Sequence, residues 1–265
     1  MSYRLTILGC GSSGGVPRIG ADWGQCDPSN AKNRRRRCSA LIDRTGERGR
    51  TRVLIDAGPD VREQLLDANV GALHGLLYTH DHADHTHGID DLRVLVYRMK
   101  RRLNVWFDGP TRETLYQRFG YCFERPPGAD YPPILDGNDL TYGVPIDVDG
   151  PGGTVSALPV RQDHGGISSV GYRIRDVAYS PDISNLPDES LELLQGLDVW
   201  IVDALRYVPH PSHFTVKQAV AWVERLKPKR AVLTHLHVDL DYEALRRELP
   251  DNVEPAYDGM VIDFA

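Results

Sequence analysis

Residues 80–85 read His-Asp-His-Ala-Asp-His and come directly after the apolar run Leu76-Leu77-Tyr78. Imidazole and carboxylate groups are the ligands that hold zinc and other first-row metals in proteins. The segment offers four of them, more than one tetrahedral metal usually takes from one stretch of chain: His80, His82, Asp84 and His85. The spacing therefore predicts two adjacent metals, which are typical of hydrolysis because the pair binds and deprotonates a bridging water.

The rest of the chain predicts the elements that must hold this motif. Runs enriched in β-branched and aromatic residues predict strands at residues 3–8, 39–42, 52–55, 75–79, 105–107, 155–160, 171–174, 177–180, 199–202, 231–233 and 260–264. Helical spacing of apolar residues predicts helices at residues 61–68, 92–99, 111–119, 215–226 and 242–249. Strands with helices between them indicate an α/β protein built in layers.

Two local patterns refine this outline. The helix predicted at 215–226 opens with Thr-Val-Lys-Gln, the spacing of a capping box. The Pro/Gly-rich stretch 126–153 has little periodicity. Because one core needs the strands on both sides, it is predicted to be a surface excursion inside one domain that covers residues 1–265.

Further candidate ligands stand just beyond other predicted strands. These are Asp56, His164, Asp182 and His235, the second of them after a short polar step. Open α/β sheets gather their functional groups at the carboxyl ends of the strands. A lone loop histidine, or an aspartate after a proline, is otherwise an ordinary turn residue. Only the ordered set argues for a site.

Taken in chain order, Asp56, the 80–85 cluster, His164, Asp182 and His235 resemble the five motifs of the metallo-β-lactamase fold superfamily. The resemblance spans nearly the whole chain. It implies a four-layer αββα sandwich with two divalent metal ions at one sheet edge, and a homodimer, since relatives often form one. Zinc is the first expectation from the ligand types, and manganese accepts the same ligands.

The resemblance also implies a role for each motif residue. The family pattern assigns seven ligands, namely His80, His82 and His164 to one metal, Asp84, His85 and His235 to the other, and Asp182 as the bridge. Asp56 would order the metal loops through hydrogen bonds instead of binding a metal. The bridge Asp182 and the second histidine, His82, favour two-metal hydrolases over the oxygen-reducing diiron relatives.

The glycine-rich segment 9–18 follows the first predicted strand and can expose backbone N–H groups toward an anion. It lacks the Walker A lysine pattern. Together with the five motifs it resembles the phosphodiesterase branch, which includes transfer-RNA 3′-processing endonucleases and phosphoribosyl cyclic phosphodiesterases. The substrate implied is a small cyclic phosphate or nucleotide diester, with these contacts: Ser12, Ser13, Arg37 and His237.

The run Arg34–Arg37 has two readings. It is either a solvated loop with structural ion pairs or a phosphate clamp, because guanidinium groups match phosphate oxygens in a forked geometry. Some relatives bind an extra zinc near this loop. Whether Cys26, Cys38 and His237 bind a further metal here stays open, because this cluster is incomplete. Cys10 and Cys122 are predicted to pack as small apolar residues.

His213 resembles the general acid of the phosphodiesterase branch, and His210 is the competing candidate. The implied mechanism is attack on phosphorus by a metal-bridging hydroxide, with Asp84 orienting the water and His213 protonating the leaving oxygen. A thioesterase or lactonase of the same fold is the main alternative. A non-catalytic nucleic-acid or regulatory module and a transfer-RNA nuclease are the others.

The composition narrows the class of protein. The 265 residues include 31 basic and 37 acidic side chains, so the net charge is −6. This balance argues against a general nucleic-acid coat protein and leaves room for a local basic site. No signal-peptide pattern precedes the first strand, and the longest apolar run, residues 219–223, is too short to cross a bilayer. Widely spaced cysteines fit a reducing compartment, so we expect a cytoplasmic protein without a membrane partner.

Overall fold

The computed structural model describes residues 2–265 and contains two seven-stranded β-sheets packed against each other. In spatial order, the first sheet consists of β14 (Val261–Phe264), β1 (Ser2–Gly9), β2 (Ser39–Gly46), β3 (Gly49–Ile55), β4 (Gly75–Leu77), β5 (Leu103–Phe107) and β6 (Leu135–Asp139). The second consists of β13 (Val253–Pro255), β12 (Arg230–Thr234), β11 (Val199–Asp203), β10 (Val177–Ser180), β9 (Ile167–Ile174), β8 (Val155–His164) and β7 (Ile146–Val148).

Helices cover the outer faces of both sheets. The first sheet carries α1 (Val61–Asp67), α3 (Arg93–Met99) and α4 (Gly109–Phe123), and the short α2 (Ala83–Thr86) lies inside the metal motif. The second sheet carries α5 (Asp188–Leu193), α6 (Val216–Leu226) and α7 (Tyr242–Glu248). Single 3-10 turns form at Ala31–Asn33 and Ile89–Leu92.

The side chains of β3 show how one strand serves two cores. Val53 and Ile55 pack in the core between the sheets, whereas Leu54 packs in the core under the helices. Successive side chains of a strand point to opposite faces, so an apolar triplet fills both layers. A third core lies between the second sheet and its helices. The predicted four-layer αββα sandwich is confirmed.

Strand direction brings the candidate site together. Each sheet is antiparallel on one side and parallel on the other, with β3 and β4 parallel in the first and β10, β11 and β12 parallel in the second. The register pairs Ile55 with Leu77, and it pairs Val202 with both Ser180 and Leu233. The residues that follow these strands are therefore neighbours at one edge.

The stretch 126–153 differs from the predicted excursion. It supplies an edge strand to each sheet, β6 to the first and β7 to the second, so the chain passes between the sheets here. β6 reads Leu-Asp-Gly-Asn-Asp and β7 has three residues. Such short or polar edge strands lack the alternation on which strand prediction depends. β13 has three residues and α5 has six, too few to show a periodic pattern, so the sequence predicted neither.

Other local predictions are confirmed. α6 begins with a capping box, in which Thr215 Oγ1 accepts a hydrogen bond from the Gln218 N–H at 3.1 Å and Gln218 Oε1 accepts one from the Thr215 N–H at 2.9 Å. Cys10 and Cys122 are buried free thiols within the apolar cores. Within residues 2–265, no helix has the length and apolar character needed to cross a membrane.

Candidate metal centre

Seven histidine and aspartate side chains meet at one edge of the two sheets, at the end of β8 and beyond β4, β10 and β12. They form two groups, and in each group the ligand atoms lie within 4.8 Å of one another: His80, His82, His164 and Asp182 in one, and Asp84, His85, Asp182 and His235 in the other. Asp182 belongs to both groups. The fold thus brings together every side chain that the sequence predicted as a ligand.

The Asp182 carboxylate lies at the centre. Its Oδ2 is 3.0 Å from His85 Nε2, and its Oδ1 is 3.4 Å from His235 Nε2. On the other side, Oδ1 is 3.8 Å from His164 Nε2 and 3.9 Å from His80 Nε2. One carboxylate therefore reaches the nitrogens of both groups.

Backbone conformation aims three site residues toward this centre. Asp56, Asp182 and His235 have φ angles of 63°, 51° and 59°, in the left-handed region that residues other than glycine rarely adopt. Each lies one or two residues beyond a strand. A left-handed residue turns the chain sharply at a strand end, at a strain of about 1–3 kcal/mol that the surrounding structure must sustain.

Asp56 is buried behind the ligand groups. Its two carboxylate oxygens accept hydrogen bonds from the N–H and the Oγ1–H of Thr79, each at 2.8 Å. Its Oδ2 is also 2.7 Å from His85 Nδ1, which leaves Nε2 of that ring facing Asp182. A Cβ at Gly58 would lie 2.0 Å from the Asp84 carbonyl oxygen, so glycine is needed where this loop meets the metal motif.

The donor set fits divalent metals. Within residues 2–265, Nε2 of His80, His85 and His235 is buried without a hydrogen-bond partner, which is costly unless another group satisfies it. Burial lowers the pKa of His80 well below its usual range and that of His164 to about 4, so both rings keep a free lone pair.

The pKa of His85 shifts in the opposite direction from those of His80 and His164. Burial acts to lower its pKa, but the carboxylates of Asp182, Asp84 and Asp56 together raise the pKa of His85 well above its usual range. This shift favours a protonated ring in the absence of metal, so a metal that binds here must displace the proton of His85.

His213 lies beside the two ligand groups. Its Nε2 is 3.9 Å from Asp182 Oδ1, and its ring stacks on that of His235 with centroids 4.5 Å apart. Its Nδ1 is 2.7 Å from Asp203 Oδ2. Burial lowers the pKa of His213, while Asp182 and the nearby Asp84 oppose the shift. The ring is therefore held so that Nε2 faces the centre.

Sequence reasoning missed Asp203. This residue ends β11, is fully buried, and accepts a hydrogen bond from the Ile183 N–H at 3.1 Å as well as contacting His213. The signal that singled out Asp56 is present here too, because Asp203 follows the apolar run Val199–Val202 at its carboxyl end. The same rule, applied to every strand, would have found it.

A cavity of about 280 Å³ opens beside His213. Three of the predicted substrate contacts line it, and they are Ser12, Ser13 and His237. The wall also includes His210, the competing candidate for the acid, and two residues that sequence reasoning did not place in the site, Arg18 and Arg206. Arg18 closes the glycine-rich segment, whereas nothing in the sequence around Arg206 signals a site.

The structure does not bring Arg37 to this wall. Arg34, Arg36 and Arg37 line a separate cleft of about 390 Å³. Arg37 Nε is 2.8 Å from Asp60 Oδ2, and Arg36 pairs with Asp67 at 2.7 Å. For these two arginines the geometry favours structural ion pairs over a clamp at the ligand groups.

The residues considered for a further metal have separate partners. Cys26 Sγ donates to the carbonyl oxygens of Val238 at 3.3 Å and Leu240 at 3.4 Å, whereas Cys38 Sγ donates to that of Gly11 at 3.5 Å. His237 Nδ1 is 2.8 Å from Asp239 Oδ2. No cluster of ligand-type side chains found in residues 2–265 joins the three.

The chain is similar to proteins of known family and known structure. Residues 51–236 match the sequence profile of the beta-lactamase superfamily domain. A crystal structure described as a new diphosphatase from the PhnP family is 36% identical, with a TM-score of 0.89 over 100% of this chain and 98% of that one. The short form of human tRNase Z is 18% identical, with a TM-score of 0.61 over 98% of both chains, which is a likeness of fold alone.

A curated relative carries a different name. An octanoyltransferase from Porphyromonas gingivalis (strain ATCC BAA-308 / W83) is 33% identical over 262 residues. The match covers 97% of this chain and 51% of the relative, so the chain spans about half the length of that protein.

Proposed function

The chain belongs to the beta-lactamase superfamily, whose domain matches residues 51–236, and from this premise we propose that it is a metal-dependent phosphodiesterase of small substrates. The predicted kinship with the metallo-β-lactamase fold hydrolases is confirmed. One observation carries the finer proposal. A histidine backed by a buried carboxylate, His213 with Asp203, faces the shared Asp182 from the wall of a polar cavity.

In this proposal the seven predicted ligands hold two divalent metals, zinc first and manganese as the second choice. When bound, such metals activate water and stabilise negative charge on phosphoryl oxygens. Asp84 lies beside the two histidines of its own ligand group, with its Oδ2 3.4 Å from His85 Nε2 and 3.8 Å from His235 Nε2. Its carboxylate is placed to accept a hydrogen bond from the attacking water and so to orient it.

The glycine-rich loop supplies neutral donors. The Ser12 N–H already donates to the Leu236 carbonyl oxygen at 3.3 Å, and the Gly15 N–H donates to that of Ser12 at 2.8 Å. Within residues 2–265, the N–H groups of Ser13 and Gly14 have no such acceptor. Both residues line the cavity, and in this proposal their N–H groups donate to a phosphoryl oxygen.

His213 is the proposed general acid. Its Nδ1–H donates to the Asp203 carboxylate, which fixes the orientation of the ring and favours its protonated form. Nε2 then gives its proton to the leaving oxygen. The low pKa that burial imposes on His213 makes the imidazolium a stronger donor.

Acyl-group chemistry is the second candidate, because the curated relative is named an octanoyltransferase and thioesterases and lactonases share the fold. An eight-carbon chain needs an apolar channel. Leu205 is the one large apolar side chain on the described cavity wall, which otherwise carries serine, glycine, arginine and histidine. We therefore do not carry the octanoyl chemistry of that relative over to this chain, which spans about half of its length.

The test is hydrolysis of bis(p-nitrophenyl) phosphate by protein loaded with zinc or manganese, beside p-nitrophenyl octanoate as the acyl substrate. We expect phosphodiester turnover that chelator abolishes and little octanoate turnover. On a diester with an alkoxide leaving group, such as a 2′,3′-cyclic nucleotide, His213→Ala should keep its metal and lose turnover by about 10²–10⁴-fold, because p-nitrophenolate leaves without a proton and an alkoxide does not. His210→Ala is the matched control, because it removes the other imidazole of the same cavity. Metal-loaded protein that cleaves only the octanoate would reverse the assignment.

A further inference from the structure

A partly buried carboxylate behind the glycine-rich segment has no part in the proposed chemistry. Asp258 lies in the turn between β13 and β14. Its Oδ1 accepts hydrogen bonds from the N–H of Cys10 at 3.1 Å and from the thiol of Cys10 at 3.4 Å. Its Oδ2 accepts one from the Arg36 N–H at 2.8 Å. One side chain therefore joins the turn to the start of the glycine-rich segment and to the arginine run.

Cys10 connects this contact to the proposed centre. Its carbonyl oxygen accepts a hydrogen bond from the Leu236 N–H at 2.7 Å, and the Leu236 carbonyl oxygen accepts one from the Ser12 N–H at 3.3 Å. Leu236 directly follows the proposed ligand His235, whose φ angle of 59° is left-handed. A residue keeps this conformation only when the surrounding structure sustains it. The pairing of Cys10 with Leu236 is one such support.

The glycine-rich segment is aligned by the same contact. Gly11 forms parallel bridges to both Arg37 and Leu236. The segment therefore begins as a short strand between two neighbours, and its register along them depends on where it starts. Asp258 fixes that point through the residue before Gly11. Ser13, which lines the cavity, lies two residues farther along the chain.

We propose that Asp258 is a positioning residue for the reaction: it holds the start of the glycine-rich segment so that the loop amides face the substrate and His235 stays in its ligand group. This inference rests on the proposed function. Cys10 is fully buried, so loss of the carboxylate leaves its N–H and its thiol without an acceptor, and a buried donor without a partner is costly. We expect the segment to shift until these donors find new partners.

The charge of Asp258 also depends on pH. Burial raises its pKa to about 6, whereas the N–H groups of Arg36 and Cys10, the Cys10 thiol and the Arg36 guanidinium oppose the shift. Arg34 and Asp67 are charged groups on the wall of the same cleft, which has a volume of about 390 Å³ and lies beside α1. A protonated carboxyl carries a hydrogen in place of a lone pair, although both backbone groups that face it are donors. The alignment should therefore weaken as the pH falls through about 6.

The test replaces Asp258 with asparagine in the zinc-loaded protein. Asparagine keeps the shape but turns an amide donor toward Cys10 or Arg36, which are donors themselves. We expect Asp258→Asn to retain its zinc when zinc is in excess and to lose kcat/KM on bis(p-nitrophenyl) phosphate by about 10–100-fold, since small misplacements of catalytic groups have effects of this size. Asp263→Asn is the matched control, because it removes an exposed carboxylate from β14.

A second measurement follows the alignment without any turnover. In zinc-loaded wild-type protein labelled with ¹⁵N, the amide signals of Cys10, Ser13 and Leu236 should shift together with a midpoint near pH 6. In Asp258→Asn this common transition should be absent, whereas Asp263→Asn should keep it.

The possible results separate the inference from the proposed function. An Asp258→Asn protein as active as wild type overturns the inference, and so does a transition that persists in this variant. Amide signals without a common transition in the wild-type protein also overturn it, and this titration decides alone if the variant does not fold. A wild-type protein without diester turnover whose amide signals still shift together overturns the proposed function and supports the alignment by Asp258.

Discussion

Each sheet ends in a buried aspartate beside the Nδ1 atom of a histidine, and the two histidines have different surroundings. Asp56 beyond β3 and Asp203 at the end of β11 are both fully buried, and each lies 2.7 Å from Nδ1 of a histidine. Behind Asp56, His85 turns its Nε2 to within 3.0 Å of Asp182. Behind Asp203, His213 leaves its Nε2 at 3.9 Å, on the cavity wall. An imidazole backed by a carboxylate can thus serve as a ligand or as an acid.

The surroundings of the two rings account for this difference. His85 is fully buried within a ligand group, where its second nitrogen lies 3.4 Å from Asp84 Oδ2 and 3.0 Å from Asp182 Oδ2. His213 is 9% exposed and opens onto the space that a substrate would fill. What lies beyond the second nitrogen therefore decides whether the ring offers a lone pair or a proton.

Removing the Asp182 carboxylate, which belongs to both ligand groups, should give the largest effect. Asp182→Ala should lose metal and activity together, with turnover falling by at least about 10³-fold, because the proposed metals lose their common ligand. Metal content after dialysis, measured by inductively coupled plasma mass spectrometry, checks the first part. Asp147→Ala, an exposed carboxylate on β7, is the control. A metal-replete, active Asp182→Ala protein would remove the basis of the comparison.

Asp203→Asn tests the pair formed by Asp203 and the proposed acid His213. The amide keeps the shape and loses the charge, so His213 would hold its proton less well and in a less fixed orientation. We expect full metal content and a kcat lower by about 10²-fold. The basic limb of the pH–rate profile should also move to lower pH, since the carboxylate no longer favours the imidazolium. Loss of metal in this variant would mean that Asp203 belongs to the metal centre instead.

Asp56→Asn tests the pair formed by Asp56 and the proposed metal ligand His85. The neutral amide weakens the contact to His85 Nδ1, so metal affinity should fall by about 10–100-fold. Activity should return when metal is added in excess, in contrast to Asp203→Asn. Titration with a chromophoric chelator measures the affinity. If excess metal restores the activity of Asp56→Asn and Asp203→Asn equally, the two aspartates do not have separate roles in metal binding and proton transfer.

Lowering the pH should weaken metal binding at His85. The three carboxylates around His85 raise its pKa in the metal-free protein, so the ring gains a proton as the pH falls through that raised value. The metal must displace this proton, and affinity should therefore fall with decreasing pH, by about tenfold per unit below the raised pKa. Calorimetric titrations at pH 8 and pH 6 measure the change. Affinity that does not depend on pH would show that His85 is not a ligand.

The sequence predicted the centre better than its surroundings. The ligand residues could be found because they follow apolar strands in a recognisable order, and register then brings strand ends together. Asp203 satisfied the same rule and was still missed, since it stands outside the family motifs. Arg206 could not be found, because only the fold of the loop after β11 turns it into the cavity. The edge strands β6 and β7 were lost because neither has the apolar alternation of a buried strand.

At the proposed centre, three residues with left-handed backbone conformations bring stability into conflict with activity. Asp56, Asp182 and His235 hold φ angles that glycine would adopt without strain. Glycine at Asp182 or His235 should therefore relieve about 1 kcal/mol or more of backbone strain, whereas glycine at Asp56 would also leave the two buried donors of Thr79 unpaired. Those same changes would remove the side chains of the proposed centre. A stabilised library would then contain well-folded molecules that no longer work, which is the usual conflict between robustness and activity.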